Sequence, residues 1–201
     1  MAILLSTAYL PPISYLSAYV LSEKIIIERF ETYTKQTCRN RCLIYGPNGI
    51  QSLSIPVKKT MGHHTLISDI LTDNTRPWQK LHWRSIETAY NKSPFFLYYR
   101  DYFEPFFTRK TEHLIDFNTR ILEQIFMILR IEIVPAFTEE FEKEPENDQR
   151  ELLVRKYQEF SFPAYFQPFS LKHGFLSNLS IIDLLFNKGP EAPEYLSLLI
   201  N

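Results

Sequence analysis

Two short apolar runs flank an amphipathic segment in residues 2–30, and this arrangement restricts the fold more than any other feature of the chain. "AILLSTA" is bounded by Pro11-Pro12 and reads as a buried strand that delivers Ser6 and Thr7 at its carboxyl end. "ISYLSAYVLS" repeats Ile13, Leu16, Tyr19 and Val20 near helical spacing, and "KIIIERF" reads as a second buried strand. Strand, helix and strand in this order predict a βαβ unit with parallel strands and a right-handed crossover. Ligands of open α/β sheets gather beyond the carboxyl ends of such strands, which makes Ser6, Thr7 and Tyr9 candidate contacts.

The next segment predicts a β-hairpin, joining the βαβ strands in a mixed sheet. "CLIY" and "IQSLSIPV" flank "GPNG", in which Pro47 presets a turn and Asn48-Gly49 tolerate positive φ. Antiparallel pairing would bring Arg39–Arg41 beside Lys58–Lys59, so that Lys35, Arg39, Arg41, Lys58 and Lys59 form one basic cluster at the hairpin's open end. Convergent Arg and Lys suit a phosphate, pyrophosphate or carboxylate, although a solvated hairpin end has the same composition.

From residue 77 the pattern is mainly helical, giving an α/β chain with a sheet-rich part (1–76) and a helical part (77–201) in one domain. "PWQKLHWRSIETAY" and "TEHLIDFNTRILEQIFMILRI" carry helical apolar spacing. His82 is the candidate acid or base, since imidazole titrates near neutral pH; a hydrogen-bonded structural histidine is the competing reading. The aromatic band from Phe95 to Phe107 either fills a core or stacks sugars or bases. Asp183, three residues after Ser180, reads most simply as part of a helix cap, and "GHH" as an exposed loop. The charged stretch 138–151 is the expected exposed and disordered loop.

Composition narrows the function classes. The formal net charge is −1 and the pI near 6.5, so no overall positive field favours nucleic acid, and any anion site must be local. Cys38 and Cys42 lack partners at zinc spacing, so reduced thiols, no structural metal and no cofactor are expected. No apolar run reaches membrane-spanning length and "MAILLSTAYLPP" lacks the marks of a signal peptide, so no membrane association and a cytoplasmic location are expected. Walker glycines, G-x-G-x-x-G and G-x-S-x-G are all missing.

The ordered blocks "YLPP", "YTKQTCRNRC", "GPNGIQSLSIPVKK", "KLHWRSIETAYNKSPFF" and "NLSIIDLLFNKG" resemble the WbqC-like protein family. The resemblance runs from residue 3 to about residue 190 and carries Tyr9, Lys35, Asn40, Arg41, Lys58, His82, Trp83 and Tyr90 onto positions of the family's motifs. It departs at Ser6-Thr7-Ala8, where many members have His-Gln-Pro, and at Pro12, where Trp is frequent; this looks like a subgroup form. The resemblance implies a bacterial transferase of O-antigen-type surface-polysaccharide assembly, moving an acyl or aminoacyl group onto a nucleotide-linked or carrier-linked amino sugar. A non-catalytic ligand-binding or partner-binding member is the alternative. Ser6, Thr7, Tyr9, Lys35, Arg39, Asn40, Arg41, Lys58, Trp83 and Tyr90 would then bind substrate, with His82 moving a proton.

Overall fold

A computed structural model describes residues 2–20, 22–153 and 161–199. The apolar run at the start forms β1 (Ala2–Ser6), α1 is Ile13–Val20, and β2 (Lys24–Glu28) lies parallel to β1 from Ala2↔Lys24 to Ser6↔Glu28. A short segment from the second half of the chain, β7 (Ala136–Phe137), extends this sheet along the far side of β2, also parallel. Both early strands are rich in Ile and Leu and are buried over most of their length, as parallel strands covered on both faces require.

The hairpin forms at the anticipated turn. β3 (Arg41–Gly46) and β4 (Gly49–Ser54) pair antiparallel from Arg41↔Ser54 to Gly46↔Gly49. It stands as a separate two-stranded sheet and does not join the parallel one. Its second strand also stops short of the lysines. Pro56 has no N–H to give to a ladder, and beyond it β5 (Val57–Lys58) pairs with β6 (Leu71–Thr72) in a third small sheet. Lys58 therefore leaves the hairpin.

The charged stretch 138–151 is ordered where disorder was expected. Leu4 N–H donates to the Asn147 carbonyl (3.0 Å) and Gln149 N–H to the Leu4 carbonyl (2.9 Å), using the free edge of β1. The buried Glu28 carboxylate anchors the same stretch, accepting from Thr138 Oγ1 (2.8 Å) and the Glu142 N–H (3.0 Å). Pairing to a sheet edge supplies the order that its composition does not.

The second half is helical: α2 (Trp78–Tyr90), α3 (Phe96–Thr108), α4 (Leu114–Leu129), a short α5 (Ser170–His173), α6 (Ile181–Lys188) and α7 (Ala192–Leu198). Phe186 joins α6 to α2 and α3, with ring centroids 5.3 Å from Tyr90, 5.2 Å from Phe96 and 5.7 Å from Phe103. Phe117 of α4 reaches the N-terminal half through Tyr9 at 5.9 Å. One apolar cluster runs from Leu5 and Ile27 through Ile44 to Phe103, Ile125 and Leu184.

Gly189 closes α6 at φ 56°, and a Cβ there would stand 2.5 Å from the Phe95 ring. Gly62 has a similar φ of 59° with nothing within 4 Å of such a Cβ. Gly189→Ala is expected to lower stability by about 1–3 kcal/mol, more than Gly62→Ala, because it adds overpacking to the left-handed backbone. Urea titrations of the two variants check this, and equal losses would remove the Phe95 contact as a cause.

Candidate functional site

At the carboxyl end of β1 the chain builds a buried ionic cluster. Arg39 and Glu31 are 4% and 7% exposed, and the guanidinium grips the carboxylate with Nε at 2.7 Å from Oε1 and Nη2 at 2.6 Å from Oε2. Nη2 also donates to Ser6 Oγ (2.7 Å), Nη1 donates to Thr37 Oγ1 (3.2 Å), and Ser6 Oγ donates to Glu31 (3.0 Å). The Tyr15 hydroxyl donates to the Ser6 carbonyl at 2.7 Å. Thr7 receives a hydrogen bond from Asn118 Nδ2, which also donates to the Arg39 carbonyl. Arg39 is thus neutralised inside the protein, with Ser6 bonded to both members of the pair and Thr7 tied to Asn118.

Tyr9 and His82 form a second buried unit. The Tyr9 hydroxyl lies 2.9 Å from His82 Nδ1, beside Trp78 (5.2 Å from the imidazole) and Phe117. Burial pushes the His82 pKa down to about 4, opposed by contact with the Ser54 backbone, so the imidazole is neutral at neutral pH. Burial also raises Tyr9 well above the usual phenol range. The pair is enclosed by rings from α2 and α4, which fits the structural reading of His82.

The other anticipated residues scatter. Trp83 packs on Phe107 (5.5 Å) in the core, and Asn40 Nδ2 donates to the Ile55 carbonyl (2.8 Å), pinning the hairpin's exit. The Tyr90 hydroxyl accepts the Tyr45 N–H at 3.1 Å. Lys35 is exposed, Lys58 pairs with Asp73 at 3.4 Å, and Lys59 sits over the Tyr33 ring at 5.2 Å. Of the five basic residues, Glu31 consumes Arg39 and Asp73 pairs with Lys58, while Lys59 lies over the Tyr33 ring on which the Arg39 and Arg41 charges also act.

Arg41 remains. It is half-buried, makes no ion pair among the described residues, and its Nε is shielded from solvent without a hydrogen-bond partner among them. Side chains alternate along a strand, so Arg41 shares a face of β3 with Leu43. Leu43, Cys42 and Cys38 line a small cleft of about 30 Å³, together with Leu10, Pro12, Asn178 and Ser180. The Arg41 charge also reaches the Cys38 thiol, lowering it against a larger rise from burial that leaves it at about 11. Cys38 and Cys42 are free thiols, and burial keeps both protonated at neutral pH.

Sequence reasoning missed how this cleft is walled. Leu10 (φ 41°) and Asn178 (φ 50°) both adopt left-handed backbone there, a conformation costing about 1–2 kcal/mol for an ordinary side chain. They persist because the two loops are locked: Ser180 Oγ donates to the Leu10 carbonyl, Ile181 N–H to the Pro11 carbonyl, and Ser14 N–H to Asn178 Oδ1. Strain held in place by surrounding contacts is a feature of ligand sites. The "YLPP" and "NLS" stretches were visible in sequence; their meeting was not.

Asp183 was also underread. It is no cap: Ser180 makes no side-chain capping bond, and the carboxylate is fully buried, accepting from Tyr165 Oη (2.5 Å) and Gln167 Nε2 (2.8 Å). Burial raises it to about 6 against the lowering effect of Tyr165, Gln167 and Tyr90. The available signal was an acidic residue inside the unbroken apolar run "IIDLLF". Among the described residues no group of three or more His, Cys, Asp or Glu side chains could hold a metal, and no helix is long and apolar enough to cross a membrane.

The model of the WbqC-like protein family matches residues 7–156 and 153–195, spanning Leu10, Arg41 and the 178–180 loop. Among curated proteins, the chain is 30% identical to "Uncharacterized protein Rv1507c" of Mycobacterium tuberculosis (strain ATCC 25618 / H37Rv) over a 218-residue alignment covering 94% of each chain. No solved structure matches it. With both loops of the cleft and the arginine beside it inside the matched segments, the chain belongs to the WbqC-like family.

Proposed function

We propose that this chain binds the phosphate of a nucleotide-linked or carrier-linked amino sugar at Arg41 of β3, as an acyl or aminoacyl transferase of cytoplasmic surface-polysaccharide assembly. The observation that carries the binding step is Arg41, a half-buried cation at the start of β3 whose Nε is sheltered from solvent without a partner among the described residues. A guanidinium pairs with phosphate oxygens through parallel N–H donors, and a partly buried one does so with less competition from water. Family membership supports the sugar-linked substrate. A second reading, a ligand-binding member without catalysis, is favoured by the enclosure of His82 and by the protonated thiols at the cleft.

Thermal denaturation with UDP-N-acetylglucosamine, acetyl-coenzyme A or pyrophosphate, in the parent and in Arg41→Ala, tests the proposal. A ligand at 100 times its Kd is expected to add about 2.7 kcal/mol of stability to the parent and nothing to Arg41→Ala. Absence of any shift, or an equal shift in both proteins, removes Arg41 as the anion contact. A shift without acyl transfer between the bound pair selects the second reading.

A further inference from the structure

A second concave surface lies on elements that contribute nothing to the β3 cleft. The outer face of α3 exposes Tyr98 (67%) and Tyr102 (42%), and both line a groove of about 700 Å³. Its walls include Tyr99, Met127 and Arg130 where α4 ends, and Glu194 from the first turn of α7. This volume lies within the roughly 300–1,000 Å³ usual for small-molecule sites. The three phenol rings stand close together: Tyr98 and Tyr99 at 4.8 Å and 90°, Tyr99 and Tyr102 at 6.3 Å and 55°.

Two features suit the groove to a ligand. Tyr98, Tyr99 and Tyr102 make no hydrogen bond through their hydroxyls with any described residue, and even that of the 6% exposed Tyr99 is open to solvent, so all three are free to meet a ligand in the groove. Arg130 occupies the left-handed position that ends α4 (φ 58°, ψ 38°), with the Ile131 N–H closing on the Phe126 carbonyl at 2.9 Å. Glycine fits that position with least strain, and here the chain places a guanidinium at it instead. The Arg130 charge acts on the Tyr99 hydroxyl, so the two face the same space.

The chemistry selects the occupant. Phenol faces pack against the C–H faces of a pyranose ring, while their hydroxyls, the guanidinium and the Glu194 carboxylate pair with sugar hydroxyls. The one cation and one anion cancel, so the groove offers no net attraction to a phosphate or a charged polymer. A purely aliphatic partner would strip water from three phenol hydroxyls and return no hydrogen bonds. We propose that this groove binds a neutral saccharide, at a site separate from the Arg41 cleft and independent of it.

Saturation-transfer NMR of the full chain with maltotetraose, chitotetraose and mannotetraose tests the inference. Saturation is expected on the ring C–H protons of at least one of them, with affinity reduced on the order of tenfold in Tyr98→Ala and in Tyr102→Ala. Both side chains are exposed, so these variants should keep the parent melting temperature. Arg130→Gly should weaken binding while raising the melting temperature, because it relieves the left-handed strain; Arg41→Ala should leave saccharide binding unchanged. Transfer to none of the three sugars, or equal transfer in the tyrosine variants, overturns the proposal. So does a dimer in sedimentation that Tyr98→Ala dissociates, which would place a second copy of the chain in the groove.

Discussion

Glu31→Ala is expected to destabilise the folded chain by about 3–5 kcal/mol, because it leaves the Arg39 guanidinium charged and buried without its carboxylate. Ser6 and Thr37 remain as neutral acceptors, and neither offsets a stranded cation. Removing both charges should be milder: in Glu31→Ala/Arg39→Met most of the loss should return, since an apolar side chain then fills the space of the ion pair. Denaturant titrations of the two single variants and the double close the cycle. A Glu31→Ala loss below about 1 kcal/mol would mean that water reaches the pair, as at an ordinary surface ion pair.

Asp183 gives a pH dependence of definite sign. Its folded pKa, about 6, lies above its unfolded value near 3.8. Below about pH 4 both states hold the proton, between about 4 and 6 only the folded state does, and above that neither does. The stabilisation from the folded state's tighter proton is therefore complete in acid and lost as pH rises through 6. Two units correspond to roughly 3 kcal/mol. Tyr90, Tyr165 and Tyr195 face the carboxylate, and all three are raised by burial, so they stay neutral throughout this window. The stability of the parent minus that of Asp183→Asn should therefore rise by roughly 2 kcal/mol from pH 7 to pH 4. Taking the difference cancels the carboxylates shared by both proteins, and a flat difference would mean that Asp183 is solvated.

Local pattern made the secondary structure legible and charge pattern misled about the site, for one physical reason. The alternation in "CLIY", the turn chemistry of "GPNG" and the spacing of the 114–129 helix are properties of neighbouring residues, and β3, β4 and α4 follow from them. The fate of a charge depends on what folds against it. Arg39 reads as a free cation until Glu31, eight residues earlier, turns inward beside Ser6. Pro56 announced the break that removes Lys58 from the hairpin, and the reading of "IQSLSIPV" as one strand ran through it. His82 was visible as a titratable group; the ring of Tyr9, Trp78 and Phe117 that suppresses its titration comes from three separate segments. Leu10 has no composition signal at all for its left-handed backbone, which is imposed by Ser180 and Ile181.

The bonds between the 178–181 loop and the start of α1 also bear on when this protein can finish folding during synthesis. Ser14 N–H ends on Asn178, 164 residues later, and the Leu10 carbonyl waits for Ser180, 170 residues later. Until the ribosome has released that loop, the first turn of α1 has no cap, and nothing holds Leu10 in its strained conformation. β1 and β2 can pair early; the cleft beside Arg41 is completed only when almost the whole chain has emerged. A chain that stops short of the 178–181 loop thus has β1 and β2 without the second wall of this cleft.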